Sequence, residues 1–418
     1  QQVLGPREAL LVFHMPELRE LDPRRRKSAW VLVITSQRAE AIELPTRAEI
    51  LPRVTMLGPL VERRDQDIDA AAAKLGSLLL DDALAVLPET VDTLSMVLDG
   101  PLHQVPLASL RVGAEHRPLV ERFAVGAVPS ASLLVQWRDG RASPSLSTAE
   151  ASPALLALAD PPVPFITDGS DPALERAASL TEGLALLPLP LARREAELAA
   201  RRPQDTLWVG AQASEAALDR LPLDGFGVLH FATHAVIDEQ HPGRSAVVLA
   251  GENGDGLLQP RDIAGLDLAG KLVVLSACST ARGHVVAGEG VMGLAHAMFG
   301  AGAHTVIASL WPLRDDDGLA LFQRFYPYLE AGDDVATALR RAQQDRAAEG
   351  APPAAWAGVV VLGDPQLVPF PGGRVEVAAR PGAAGDLGGI EALVMLLGVG
   401  LVAWGAWPRR GGVGAAAS

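Results

Sequence analysis

Short apolar runs that end in polar or glycine- and proline-rich segments recur along this sequence of 418 residues. Runs of this kind are typical of buried β-strands. They predict strands over residues 9–13, 28–35, 93–99, 155–158, 206–209, 226–234, 272–275, 304–311 and 356–362. Apolar residues at helical spacing predict helices over residues 67–87, 193–201, 214–220, 289–299, 318–330 and 335–349. The alternation of strands and helices predicts an α/β fold with a sheet of mainly parallel strands flanked by helices.

Two of the predicted strands lead to residues that suit thiol chemistry. The run 272–275 is followed closely by Cys278, and the run 226–234 ends at His234. Because the C-terminal ends of parallel strands meet at one edge of a sheet, we expect the two residues to lie close together. A neighbouring imidazole can lower the pKa of a thiol from about 8.5 and can then protonate a leaving amine. The alternative for Cys278 is a packed structural thiol.

The remaining histidines do not predict a metal site. His230 lies four residues before His234 on the same predicted strand, and we interpret it as a core histidine with satisfied hydrogen bonds. A site built from His230, His234 and His241 would lack a matching carboxylate cluster. The sequence therefore predicts neither a metal ion nor another cofactor.

Composition narrows the classes of partner. The net charge of −14 argues against nucleic acid as the main partner, and 49% hydrophobic residues allow a sizeable core. The single cysteine excludes an intramolecular disulfide and any cysteine-based metal site. A lone reactive thiol suits a reducing cytosol.

Two segments of biased composition divide the chain. Residues 142–153 are rich in serine, alanine and proline and predict a linker between an α/β N-terminal region, 1–141, and a second α/β unit, 154–370. Residues 371–389 are rich in glycine and alanine, which predicts a flexible linker before the last part of the chain.

The last part of the chain has the pattern of a membrane anchor. Residues 390–407 are apolar except for Glu391. At about 1.5 Å per residue, a helix of this length just spans a hydrocarbon core of roughly 30 Å. Trp404 and Trp407 suit the membrane interface, and Arg409-Arg410 suit an anchor beyond it. We predict a single C-terminal transmembrane helix followed by a tail, 408–418, and the alternative is a buried hydrophobic helix.

The signals for membrane orientation conflict. The arginine pair favours a cytoplasmic tail, whereas residues 1–7 lack a secretory signal. We expect the large domain in the cytoplasm, because translocation of a folded domain is the harder step. The chain opens on Gln1 without an initiator methionine, which is consistent with the C-terminal part of a longer protein.

Seven short segments, in their order and spacing, resemble the landmarks of the CHAT domain, a caspase-like peptidase domain often found behind TPR repeats in bacteria. They are residues 102–110, 129–133, 229–235, 275–280, 288–290, 308–311 and 363–365, within a similarity that runs from about residue 9 to 368. The resemblance implies a caspase-hemoglobinase fold, with 1–141 as the N-terminal region of the domain and 154–370 as the peptidase core.

The resemblance also implies a function. His234 and Cys278 match the family's Cys–His dyad, and the backbone N–H groups of Ala235 and Cys278 would form the oxyanion hole. The implied activity is that of a cysteine endopeptidase that cleaves a protein or peptide substrate, in bacterial signalling or defence. With the predicted anchor, cleavage would take place at a membrane face. An upstream TPR or other regulatory region would gate it or recruit the substrate.

The sequence departs from the family pattern near the dyad. Ala235 stands where glycine is common, Ser279 where glutamate is frequent, and Arg314 where an acidic residue is frequent. These changes do not affect the dyad itself, but they leave the specificity open.

The residue that recognises the substrate is also open. Ser276, two residues before the cysteine, is not acidic, so a preference for basic residues does not carry over from that position. Asp160 and Asp315 follow predicted strands at the crevice and are candidate substrate-binding residues. The alternative for both is a strand-end or helix-cap carboxylate.

The sequence leaves two alternative functions open. Residues 288–293 fit the G-x-G-x-x-G pattern of dinucleotide-binding proteins, but ten residues separate this pattern from the strand that should precede it directly. The second is a catalytically silent CHAT module, tethered to the membrane, that acts as an interaction scaffold.

Overall fold

The computed structural model describes residues 1–16, 28–139, 153–162, 189–238, 241–251, 255–276, 278–279 and 289–371. The strands in this part of the chain are β1 (Glu8–His14), β2 (Ser28–Thr35), β3 (Ala39–Thr46), β4 (Thr93–Val97), β5 (Arg111–Val112), β6 (Arg117–Pro118), β7 (Ala124–Ala127), β8 (Ala154–Ala159), β9 (Thr206–Val209), β10 (Phe226–Ala232), β11 (His234–Val236), β12 (Ala246–Val248), β13 (Leu257–Leu258), β14 (Leu272–Leu275), β15 (Cys278–Ser279), β16 (Thr305–Ser309) and β17 (Val359–Gly363).

The α-helices of the same ranges are α1 (Arg47–Glu62), α2 (Ile68–Gly76), α3 (Asp82–Ala85), α4 (Leu119–Arg122), α5 (Ala131–Arg138), α6 (Ala192–Ala199), α7 (Glu215–Arg220), α8 (Pro260–Ile263), α9 (Glu289–Gly300), α10 (Asp315–Glu330) and α11 (Val335–Ala348). A short π-helix, Ser77–Asp81, joins α2 to α3.

Eleven strands form one sheet in the order β3-β2-β1-β4-β7-β17-β16-β14-β10-β8-β9. It consists of two parallel blocks. Strands β16, β14, β10, β8 and β9 run in one direction, and β17, β7, β4 and β1 run in the other. The blocks meet where β17 pairs antiparallel with β16, and β2 and β3 extend the far edge as antiparallel strands. The sheet is therefore large and mostly parallel.

Burial along the strands shows which parts of the sheet are covered on both faces. Every residue of β10 and of β14 is buried, as expected for central strands under helices on both sides. Strand β2 instead alternates buried and more exposed residues, which is the pattern of a strand with one solvated face. Helix α10 packs against α6 and α11, and α9 packs against β16. The helices thus flank a sheet whose interior is centred on the parallel block that contains β10 and β14.

A second, smaller sheet lies beyond the ends of two central strands. Its order is β13-β12-β11-β15, and β11 directly follows β10 in the chain, as β15 follows β14. Its members β11 and β15 are parallel, like the strands that lead to them. This small sheet carries both residues of the predicted dyad.

The predicted strands are found, with one correction at the end of β10. The predicted sheet of mainly parallel strands is confirmed, with β2, β3 and β17 as its antiparallel members. The strand predicted over 226–234 ends at Ala232, and His234 begins the separate strand β11. Cys278 and Ser279 form the short separate strand β15.

Several predicted segments lie outside the described residues. They are most of the 142–153 linker, the 371–389 linker after its first residue, the apolar segment 390–407 and the tail 408–418. Within the ranges that the structure describes, no helix combines the length and apolar character needed to cross a membrane.

Candidate functional site

The backbone brings the two predicted dyad residues side by side. His234 is paired with Cys278, and Ala235 with Ser279, in the parallel ladder between β11 and β15. Neighbouring strands in such a ladder lie about 4.8 Å apart. Although the two residues are 44 positions apart in the sequence (278 − 234), the fold therefore makes them direct neighbours.

The parallel core sets this pairing. Strands β10 and β14 are hydrogen-bonded neighbours with Phe231 opposite Leu275, and the Ser276 N–H extends the ladder by donating to the Phe231 carbonyl at 3.1 Å. Strands β10 and β14 end at the same edge of the sheet and in register, so the segments that follow them remain adjacent. The pairing of His234 with Cys278 is a continuation of the pairing between two buried strands.

His234 is held in a closed environment. Only 5% of its surface is exposed. The preceding Thr233, where the chain passes from β10 to β11, is buried and donates its hydroxyl to the Val248 carbonyl at 2.6 Å. On the other side, Ala235 pairs with Val247 of β12. The small sheet thus fixes the backbone on which His234 and Ala235 sit.

His230 is a core histidine, as predicted. It is fully buried, its Nε2 lies 3.0 Å from Oε1 of Glu195, and its Nδ1 lies 2.7 Å from the hydroxyl of Tyr326. Burial raises the pKa of the Tyr326 hydroxyl well above its usual range, so this hydroxyl stays protonated. Both ring nitrogens of His230 are therefore engaged within the core.

A narrow cavity opens at the same edge of the sheet. It is lined by the C-terminal ends of three parallel strands, namely Ala232 of β10, Leu275 and Ser276 after β14, and Ala308 and Ser309 of β16. Ala232 lies two residues before His234, and Ser276 two residues before Cys278. Helices α6 and α10 close the cavity from the side.

The two candidate substrate-binding aspartates have different positions. Asp160 directly follows β8, is not among the residues that line the cavity, and lies 3.5 Å from the guanidinium of the exposed Arg193. Asp315 lines the cavity and is the first residue of α10, after β16. Its Oδ2 accepts the N–H of Leu191 at 2.9 Å.

The electrostatic environment of Asp315 is negative. Burial raises the pKa of Asp315, and the carboxylate of Glu195 raises it further, against the hydrogen bond from Leu191. Arg314 also lines the cavity, but its guanidinium bonds the Asp316 carboxylate at 3.0 and 2.9 Å and is largely exposed. The positive charge of Arg314 is therefore paired with Asp316 and not with Asp315.

Glu195 is the cavity residue that the sequence analysis missed. It was included only as part of a predicted helix over 193–201, yet it is 4% exposed and lines the cavity. The signal was present, because Ala192, Ala196 and Ala199 form the buried stripe of α6 at helical spacing and Glu195 lies on that stripe. A charged residue on the buried stripe of a short helix indicates a specific partner.

The glycine pattern at 288–293 does not form a strand-to-helix turn in the described part of the chain. Residues 280–288 lie outside it, and Gly290 already belongs to the backbone of α9. The interval between β14 and α9 separates this pattern from the strand, as the spacing indicated.

Comparison with known proteins places the chain in a family. The model of the CHAT domain matches residues 69–364, well over half of the chain. The chain is 26% identical over 336 residues to tetratricopeptide repeat protein 28 of Homo sapiens and 25% identical over 337 residues to that of Mus musculus. Each alignment covers 70% of this chain but only 13% of the relative, so the chain spans a small part of their length.

The fold is also that of a solved structure. A chain of the Saccharomyces cerevisiae separase-securin complex matches with a TM-score of 0.51 and 11% identity, over 87% of this chain and 30% of the other. The likeness supports a large, mostly parallel sheet flanked by helices. The chain belongs to the CHAT domain family.

Proposed function

We propose that this CHAT domain is a cysteine peptidase in which Cys278 is the nucleophile and His234 its base. The observation that carries the proposal is the direct pairing of the two residues in neighbouring parallel strands at the C-terminal edge of the sheet. A caspase-like fold and membership of the CHAT family support the same chemistry. The substrate is a protein or peptide.

The proposed reaction needs only these two side chains and water. His234 takes the thiol proton, and the Cys278 sulfur attacks the carbonyl carbon of the scissile peptide bond. The carbon–nitrogen bond then breaks, and the His234 imidazolium gives its proton to the leaving amine. Water, deprotonated by His234, attacks the resulting thioester and releases the carboxylate product together with the Cys278 thiol.

The developing oxyanion needs donors that are already in place. We assign this role to the backbone N–H groups of Ala235 and Cys278, which lie on the paired strands β11 and β15. Donors on a rigid sheet do not have to reorganise during the reaction, and one such donor contributes about 3–4 kcal/mol to the transition state. Asp160 and Asp315 remain the proposed substrate-binding residues, of which Asp315 lies in the cavity wall.

The activity is tested with a peptide library and purified protein. Wild-type protein should cleave a subset of the peptides, Cys278→Ala should cleave none, and His234→Ala should lower kcat by about a hundredfold or more, because general acid–base catalysis is lost. His241→Ala is the matched control, since His241 is exposed and lies outside β11. Cleavage that persists in Cys278→Ala would contradict the proposal.

The alternative of a silent scaffold makes the opposite prediction. Such a module would bind its partners equally well with Cys278 and with alanine, and no peptide would be cleaved by the wild-type protein. A membrane anchor over 390–407, a cytoplasmic location and an upstream regulatory region stay predictions of the sequence. The family relatives, which are tetratricopeptide repeat proteins by name, support protein partners.

A further inference from the structure

The N-terminal region has a wide groove on its surface that the proposed chemistry does not use. The end of the π-helix and α3 form one side of it, the β5–β6 hairpin forms the other, and α4 also contributes. Its volume is about 730 Å³, within the range of about 300–1,000 Å³ that is typical of ligand-binding pockets. We name it the α3 groove.

The α3 groove combines apolar and acidic surface. Leu84 and Val112 line it, are half-buried and pack against the hydrophobic core. The described lining also contains four carboxylates and two guanidinium groups, a net charge of −2 (2 − 4), from Asp81, Asp82, Glu115, Glu121, Arg117 and Arg122. Such a surface complements a segment that carries basic and apolar side chains together.

The two arginines of the groove are engaged away from its aspartates. Arg117 lies 2.7 Å from Glu115 and 3.8 Å from Glu121, so one guanidinium already serves two carboxylates. The guanidinium of Arg122 lies over the ring of Phe123, 4.6 Å from the ring centre. The positive charges of the groove therefore leave the two aspartates without a cation.

The aspartates lie where α3 begins. Asp81 accepts the N–H of Gly113 at 2.8 Å, which ties the hairpin to the π-helix. The carboxylate of Asp82 is exposed, and neither aspartate takes part in an ion pair within the described part of the chain. Their negative charge is available to a basic partner.

The α3 groove lies at the same edge of the large sheet as the proposed dyad. Phe123, which lines the groove, precedes β7 at this edge, and Cys278 follows the end of β14. Strands β7 and β14 run in opposite directions, and the registers align Gly126, Val361, Ile307 and Val274 of β7, β17, β16 and β14. Three steps of about 4.8 Å, or about 14 Å in all, therefore separate β7 from β14.

We propose that the α3 groove binds a second segment of the protein substrate, one in which lysine or arginine alternates with apolar residues. An extended chain advances about 3.3 Å per residue, so about four to six residues would connect this segment to the scissile bond at Cys278. Binding at two places raises the local concentration of the scissile bond at the dyad, which lowers KM. This inference rests on the proposed peptidase function.

The test extends a peptide that the full chain cleaves. A glycine–serine spacer of about five residues joins the peptide to the segment Arg-Leu-Arg-Leu-Arg, at either its amino or its carboxyl end, and matched peptides carry glutamine in place of arginine. On one side, the arginine form should exceed the glutamine form in kcat/KM about fivefold or more, through KM, because several exposed ion pairs add together. The gain should shrink as NaCl is raised, since such pairs are screened, and a gain independent of salt would contradict the inference.

A matched pair of variants separates the groove from the charge of the whole protein. Asp82→Lys should bring the ratio of the arginine and glutamine forms towards one. Asp67→Lys changes the net charge equally at an exposed residue that precedes α2 and lies outside the groove, and it should keep the wild-type ratio. Equal losses in both variants would trace the gain to the overall charge of −14 and overturn the inference.

Binding without turnover distinguishes this inference from the proposed function. Fluorescein-labelled Arg-Leu-Arg-Leu-Arg is titrated into the Cys278→Ala protein, and fluorescence anisotropy reports its binding. Binding that is weakened by Asp82→Lys and not by Asp67→Lys, in a protein whose wild type cleaves no peptide, would support the groove and overturn the peptidase. Cleavage of the short peptide with no gain from either extension would support the peptidase and overturn the role of the groove.

Discussion

Two histidines four residues apart have different surroundings. One is packed in the core, and the other is the proposed base of Cys278. His230 is enclosed by Glu195 and Tyr326, with both ring nitrogens engaged. His234 begins a new strand beside Cys278. Their sequence spacing puts them on one face of a continuous strand, but the chain breaks at Thr233, so the two side chains serve different sites. At this break the Thr233 hydroxyl donates to the Val248 carbonyl, a contact that the sequence does not reveal.

A glutamate distant from the dyad gives a prediction at the same scale. The pKa of Glu215 is raised from 4.5 to about 7, first by burial and then by the carboxylates of Asp262, Asp255 and Asp219. Because the folded state binds this proton more tightly than the unfolded state, stability falls as pH rises from about 4.5 to about 7. Above that window the destabilisation is fully present.

Glu215→Gln should therefore stabilise the protein at pH 8 and have little effect below pH 4.5, with the difference growing across the window from about 4.5 to 7. Urea unfolding of both proteins at a series of pH values measures the difference. The exposed Glu89→Gln is the control. A difference in stability between Glu215→Gln and wild type that stays constant from pH 4 to 8 would refute the assignment.

At the scale of elements, the buried strands were predictable and the peripheral ones were not. Strands β10 and β14 are nearly continuous apolar runs, and such runs predict buried strands. Strand β3 is an edge strand in which half of the residues are exposed and one is buried, so no apolar run marks it. Helix α1 has buried residues at helical spacing, but Pro52 and Pro59 lie inside it, and proline normally ends a helix.

The direction of a strand could not be predicted from the sequence either. Strand β17 has the same apolar composition as its parallel neighbours, yet it runs antiparallel to β16. Nothing in a strand's own residues records its direction, which follows from where the preceding helix delivers the chain. The proximity of His234 and Cys278 was predictable because both residues follow apolar runs that belong to the core. Glu195 was not identified, because it lines the cavity only when α6, β10 and α10 are packed together.

At the scale of the molecule, β1 and β17 are joined by one mostly buried arginine. Arg138, at the end of α5, bonds Glu8 of β1 and bonds Asp364 after β17 at 3.1 and 2.6 Å. Glu8 is 1% and Asp364 8% exposed, and Glu8 also accepts the Ser95 hydroxyl at 2.6 Å. Strand β17 lies between β7 of the N-terminal region and β16 of the core, so this cluster braces the junction of the two parallel blocks.

Arg138→Met should destabilise the whole domain, because it leaves two buried carboxylates without their cation. The expected loss in the free energy of unfolding is about 3–5 kcal/mol, read from denaturant unfolding. Arg117→Met is the control, since Arg117 pairs with Glu115 on the exposed surface and such pairs contribute about 0–1 kcal/mol. A loss from Arg138→Met no larger than that of the control would show that the cluster does not brace the sheet.

The central claim, that His234 activates Cys278, is tested most directly by the rate of Cys278 alkylation against pH. The single cysteine makes iodoacetamide incorporation a measure of this one thiol. The account predicts that Cys278 of the wild-type protein is alkylated at pH values well below the usual thiol pKa of about 8.5. His234→Ala should move the pH profile up to that value, and His241→Ala should leave the profile unchanged. Superimposable profiles for wild type and His234→Ala would contradict it.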